Sequence, residues 1–249
     1  MSDLITVQGV VLSALPVGEY DRRIVLLTRE RGKLSAFAHG ARRQSSPFLA
    51  AASPFVFGTF TLYEGRSSYT VSQVEIRSHF VELASRQPGI YYGYYFLELA
   101  DYFCREGVPD RDTVDLLFVT AKALLHDGIE DRLVRCIYEL RLLTIQGMMP
   151  DLGGCVSCKE AADGAPVFFS AENHGLLCSA CRKYDSGAVR LSPAAVSAMR
   201  FIEAAPVRNL YTFAVSEEAL GEMERSICKY TQSYLDRKLK SLKILEAMI

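Results

Sequence analysis

Two pairs of cysteines, Cys155-Val-Ser-Cys158 and Cys178-Ser-Ala-Cys181, stand nineteen residues apart, an interval that suits two sulfur hooks closing on one metal ion. Each Cys-x-x-Cys turn brings two thiolates together, and two turns complete the tetrahedron that a structural Zn²⁺ prefers. The set of four is closed, so His174 is expected to be a loop histidine and not a ligand. Glycines at Gly153, Gly154, Gly164, Gly175 and Gly187 suit turns that curl tightly around sulfur. Dithiol redox chemistry is the competing reading, but it calls for a thioredoxin-like βαβ setting, which two hooks around a short loop lack. A zinc enzyme such as a nucleobase deaminase would need an H-x-E ahead of the hooks, and none is there. The zinc is therefore expected to act as a folding element, supplying on the order of 10–16 kcal/mol to a small module.

The other available chemistry is phosphate recognition. Arg22, Arg23, Lys33, Arg42 and Arg43 lie among short β-rich runs, with Phe37 or Tyr63 as possible platforms for stacked bases. Arg42-Arg43 beside Gly40 stands out, because isolated surface arginines commonly do no more than solvate. Near the carboxyl end, Arg237, Lys238, Lys240 and Lys243 alternate with apolar positions. They read either as a helical coat or as a contact for phosphate or an acidic peptide. There is no Gly-rich phosphate loop ending in Lys-Ser or Lys-Thr, no HExxH and no nucleophile elbow, so nothing points to nucleotide use or hydrolysis.

The elements that must position these residues follow from periodicity. Apolar alternation predicts strands over 5–12, 23–28, 33–38, 55–63 and 69–76, with turn chemistry at Pro16–Asp21 and a hairpin loop at Arg29–Gly32. A short helix at 48–52 falls between the third and fourth strands. That order is the order of an OB-fold, a small Greek-key barrel. Phe55, Phe57 and Phe60 are expected in the barrel core. After Phe80 the period lengthens, predicting helices over 90–103, 113–125 and 129–146 that pack as one bundle, with Tyr91, Tyr92, Tyr94 and Tyr95 as packing residues. Ser192-Pro193 and Ser216-Glu217-Glu218 read as helix starts, the second opening a helix to about Tyr234. The expectation is an α+β chain: an OB-fold β-barrel over 1–80, a helical bundle over 81–150, an inserted four-cysteine zinc module over 151–190, and closing helices over 191–249 that complete the helical domain.

At 249 residues and 49% hydrophobic content the chain can bury a sizeable core. Its apolar runs fall short of the roughly 20 residues of a membrane span, and no export signal opens it. Seven cysteines, with Cys104, Cys136 and Cys228 isolated in apolar surroundings, suit a reducing cytoplasm. The formal net charge is −1, but residues 1–80 hold nine basic against six acidic groups and residues 81–150 seven against eleven. The first segment can therefore offer phosphate a local field that the total conceals.

Taken together, three stretches resemble the RecO family of bacterial recombination mediators. They are Asp21-Arg-Arg-Ile-Val-Leu-Leu-Thr-Arg-Glu-Arg-Gly-Lys33 leading into Ala38-His-Gly-Ala-Arg-Arg43, the cysteine quartet, and Tyr234-Leu-Asp-Arg-Lys-Leu-Lys-Ser-Leu-Lys243. The resemblance covers essentially the whole chain. It implies an amino-terminal OB domain, a helical body and a zinc module that bind and anneal single- and double-stranded DNA in company with RecR and single-strand-binding protein. It further implies a cytoplasmic, nucleoid-associated place in recombinational repair. Lys33, Arg42 and Arg43 match basic positions of the family pattern, as do Arg237, Lys238 and Lys240; Asp21 and Asp236 intrude as acids. Some members lack part of the cysteine set, whereas all four stand here. The expected function is a non-enzymatic mediator; the alternatives are a protein-only scaffold and a zinc-dependent nucleic-acid enzyme.

Overall fold

The computed structural model describes residues 3–66, 68–160 and 167–249. Gly164 lies outside them. The first strands are β1 (Leu4–Val17), β2 (Asp21–Thr28) and β3 (Gly32–Ala38). A one-turn helix α1 (Phe48–Ala51) precedes β4 (Val56–Glu64) and β5 (Tyr69–His79). The five strands close into a barrel in the order β1-β2-β3-β5-β4. All neighbours are antiparallel except β3 and β5, which meet in parallel at Ala36↔Tyr69 and Phe37↔Thr70. On β3 burial alternates strictly, with Leu34, Ala36 and Ala38 inward and Lys33, Ser35 and Phe37 outward. Val7, Val11, Ile24, Leu26, Phe60 and Leu62 fill the interior with them. Gly9 is required by close approach, because a Cβ there would sit 2.2 Å from the Leu27 carbonyl oxygen.

The first strand runs five residues past its expected end, since Leu15, Pro16 and Val17 go on pairing with Arg23, Arg22 and Asp21. The turn thus shrinks to residues 18–20, with Gly18 at φ +56°. Phe60 is core, as expected, whereas Phe57 packs edge-on against Phe80 and Phe118, at 5.5 and 5.3 Å between centroids. Phe55, at φ +66°, meets Tyr94.

Helices α2 (Gly89–Phe103) and α3 (Arg111–Leu124) follow. Asp110 caps α3 by accepting from the Thr113 amide at 3.0 Å. Tyr92 and Tyr95 are buried, as packing residues should be, while Tyr94 is nearly half exposed. Then come α4 (Asp131–Ile145) and four short strands, β6 (Asp151–Cys155), β7 (Val167–Ser170), β8 (Gly175–Cys178) and β9 (Val189–Leu191), forming a sheet in the order β6-β8-β7-β9. Ser192 caps α5 (Pro193–Ala204) and Ser216 caps α6 (Glu217–Ser233), each accepting from the amide three residues on. The last helix, α7 (Lys240–Met248), is separate. Among the described residues no helix is long and apolar enough to cross a membrane.

Contacts divide the chain into two compact units, one running to Leu125 and including Leu239–Ile249, the other His126–Lys238. The three central helices, expected to pack as one bundle, are divided between these two units. The first two pack within the barrel's unit, where α2 also receives α7, and α4 packs with α5 and α6. The apolar period of α2 and α3 says that they are buried, and it carries no information about which partner buries them.

Candidate metal centre and nucleic-acid interface

In the second unit the Sγ atoms of Cys155, Cys158, Cys178 and Cys181 all lie within 4.8 Å of one another. The four can hold a metal ion, and among the described residues no imidazole or carboxylate joins the group. The strands deliver the sulfurs in pairs. Cys155 ends β6 and Cys178 ends β8, and the amide of Val156 donates to the Leu176 carbonyl at 2.8 Å, holding the two ends together. The first hook closes as the Lys159 amide donates to the Cys155 carbonyl at 2.8 Å. Burial raises the Cys155 thiol, but amides of Cys158, Cys178 and Ser157 aimed at the sulfur outweigh it and bring the thiol down to about 6. On Cys158 the Glu160 amide lowers the thiol, but the neighbouring thiols act the other way and push it up to about 12, so the backbone favours the thiolate at Cys155 and not at all four sulfurs.

Among the described residues, the glycines do not build the first sulfur turn. In the first turn the residue in the left-handed region is Lys159, at φ +63°, while Gly153 and Gly154 belong to β6. Gly175 matters for another reason, since a Cβ there would lie 2.5 Å from the Asp151 carbonyl oxygen. His174 is indeed a loop histidine: its Nδ1 is 3.0 Å from the Tyr234 hydroxyl, which bonds in turn to the Tyr230 hydroxyl at 2.9 Å. Cys104 and Cys136 are buried and Cys228 half-buried, and burial pushes all three thiols above their ordinary value. They are small packing residues.

The barrel carries the expected cations in unequal states. Arg22 faces α1, donating to the carbonyls of Leu49 and Ala52 at 3.2 and 2.8 Å and to the Ser53 hydroxyl. Lys33 is paired with the Asp101 carboxylate at 3.1 Å and also donates to its main-chain oxygen. Arg23 donates to the Ser35 hydroxyl at 2.7 Å. It stands opposite Phe37 in the β2–β3 register, on the barrel's outer face. Arg23 and Lys33 share a cleft of about 580 Å³ with Arg31, Ser35, Tyr69 and Glu106. Arg31, which sequence reasoning passed over, is held at Glu64 by two contacts of 3.2 Å. Tyr63 is exposed on β4.

Arg42 and Arg43 are exposed and packed against the β1–β2 turn. Arg42 donates to the carbonyls of Gly18 and Glu19, both at 3.1 Å, and Arg43 lies 4.6 Å over the Tyr20 ring. Neither forms an ion pair with a carboxylate among the described residues. Asp21, an apparent intruder, anchors this loop. Its carboxylate accepts from the Gly40 amide at 2.7 Å and lies 2.7 Å from His39 Nδ1. The Gly40 amide, and then His39, hold that carboxyl below its ordinary value. His39 stacks on Phe37, with ring planes 12° apart. Of the tail residues, Arg237 and Lys238 are exposed in the segment before α7, and Lys240 opens that helix, its amide donating to Glu98 at 3.1 Å.

Residues 1–80 match the family model described as "Recombination protein O N terminal", and residues 88–243 match "Recombination protein O C terminal". Full-length relatives agree. The protein called "DNA repair protein RecO" of Symbiobacterium thermophilum is 32% identical over 252 aligned residues, covering 98% of each chain. The one of Alkaliphilus metalliredigens is 31% identical, covering 94% of this chain and 95% of its own. That of Exiguobacterium sibiricum is also 31% identical, over 97% and 96%.

Proposed function

The chain belongs to the RecO family, and from that premise we propose that it is a DNA-binding mediator of recombinational repair that brings complementary strands together without making or breaking a covalent bond. The observation that carries the reading is the barrel's cationic outer side. Arg23 and Phe37 stand side by side on β2 and β3, next to a loop that offers Arg42 and Arg43, exposed and without a salt bridge to a carboxylate among the described residues. The strand order and the helix between β3 and β4 support the reading of the barrel as an OB-fold, a barrel that binds single strands by pairing a basic track with aromatic platforms. Cations on two strands reduce their mutual repulsion and let bases meet, and each phosphate neutralised releases condensed counterions. Arg22 and Lys33 enter this reading as supports, because both are engaged within the protein.

The metal is zinc in this reading. Thiolates about 2.3 Å from a tetrahedral zinc stand about 3.8 Å apart, and the sulfurs of Cys158 and Cys178 are 3.8 Å apart. Zinc here supplies folding energy, and the four cysteines leave it no open position for a substrate. RecR and single-strand-binding protein are the proposed protein partners, and the cytoplasm the proposed compartment.

The test is the affinity of the purified chain for an oligo-dT strand as salt is raised. The expected result is a steep fall, with the double variant Arg42→Ala, Arg43→Ala flattening the log–log slope by about 1.4, at about 0.7 per phosphate contact on single strands, and leaving thermal unfolding unchanged. An unaltered slope would make the two arginines ordinary surface residues. No binding by the wild type in dilute buffer would leave a protein-only scaffold.

A further inference from the structure

The second unit has a cationic face of its own, formed by the metal module. Phe168 on β7 stands directly opposite Arg190 on β9, so the two side chains share one side of the sheet. The Arg182 guanidinium lies over the same Phe168 ring, 4.8 Å from its centroid. Next to it, Lys183 Nζ is 5.3 Å from the ring centre of Tyr184, which is 61% exposed. Arg182, Lys183 and Arg190 are all exposed, and none forms an ion pair with a carboxylate among the described residues. Elsewhere in this unit Arg132 bonds to Glu130, Glu217 and Glu224, Arg135 to Glu139, and Arg141 and Arg200 to main-chain carbonyls. Asp185 does not neutralise the face either. It is buried, accepting from the Ser170 hydroxyl at 2.6 Å and the Gly187 amide at 2.8 Å.

We propose that this face of the metal module, with Arg182, Lys183 and Arg190 as phosphate contacts and Tyr184 as a base platform, is a second binding surface for single-stranded DNA. The inference rests on the DNA-binding reading above and adds a site in the other unit. Exposed cations together with an exposed aromatic ring are what a sequence-tolerant single-strand site requires. A chain with one such surface in each unit can hold two strands at once. Four thiolates around zinc carry a net charge of about −2, so the rival role for these cations is to offset the metal centre, and the experiment must separate the two.

The test uses the full-length, zinc-loaded chain carrying Arg182→Ala with Arg190→Ala, titrated with oligo-dT across a salt series, with bound zinc and thermal midpoint measured alongside. The expected result is a log–log slope shallower by about 1.4, with zinc and midpoint retained, and Tyr184→Ala weakening binding about tenfold. A bromodeoxyuridine strand should crosslink to Tyr184 in the unaltered protein. If Arg182→Ala sheds the metal, Arg190→Ala with Tyr184→Ala decides by the same readings. An unchanged slope with zinc retained overturns the inference, and so does a loss confined to an acidic peptide such as poly-glutamate. In either case Arg42→Ala with Arg43→Ala still shifts oligo-dT binding if the barrel reading holds, whereas a wild type that binds no strand removes both.

Discussion

Glu203, near the end of α5, has its Oε1 buried without a hydrogen-bond partner among the described residues. Desolvation first, and then the neighbouring Asp151 charge, push its carboxyl up to about 7, from an ordinary 4.5. The native state therefore holds a proton that the unfolded chain releases, and stability falls as pH rises from about 4.5 to 7. Glu203→Gln removes the ionisation. Its thermal midpoint should exceed that of the wild type above pH 7, and the gap should close below about 4.5; a pH-independent gap would place the effect elsewhere. Single residues differ in how far the sequence discloses them. The cysteine quartet is legible because two local spacings define it. The state of Lys33 is hidden because its partner, Asp101, is 68 positions away. Asp21 reads as a stray acid until the fold brings the Gly40 amide onto its carboxylate.

Among the elements, β3 is the most legible strand because one face is buried and strict alternation marks it, while β1 shows instead a buried run from Gly9 to Leu12. The strands of the metal module are three to five residues long, too short for a period to register, and only the cysteines announce them. The carboxyl-terminal helix is expected from the sequence, but where it starts is equally hidden. It begins where Glu98 on α2 receives the amides of Lys240 and Ser241, at 3.1 and 2.7 Å, a cap supplied from 142 residues or more upstream that no local capping signal can reveal. The metal module offers the sharpest test at this scale. Its buried apolar cluster around Leu177 and Ala188 is small, so under the proposed zinc reading the metal supplies much of its stability. Chelation, or Cys178→Ser, is expected to abolish amide protection at Phe169 and Leu177 while Leu26 and Phe60 in the barrel keep theirs. A metal-free chain that stays fully protected would show that the sulfurs are not a folding element.

At the scale of the whole molecule, a net charge of −1 conceals cations sorted by their partners. Those deep in each unit are held by carboxylates or carbonyls, whereas those at the barrel loop and on the metal module are exposed and form no salt bridge with a carboxylate among the described residues. Sequence disclosed where the basic residues lie along the chain; the fold decides which remain available, because availability depends on ion pairs formed over long separations. The central claim is that such a chain brings complementary strands together by neutralising phosphate alone. The most direct measurement follows the annealing of two complementary oligonucleotides, labelled with a fluorophore and a quencher, with the zinc-loaded chain and no nucleotide. Annealing should be faster than the spontaneous rate at low salt, and the acceleration should fade as salt is raised. No acceleration in dilute buffer, or acceleration indifferent to salt, would contradict it.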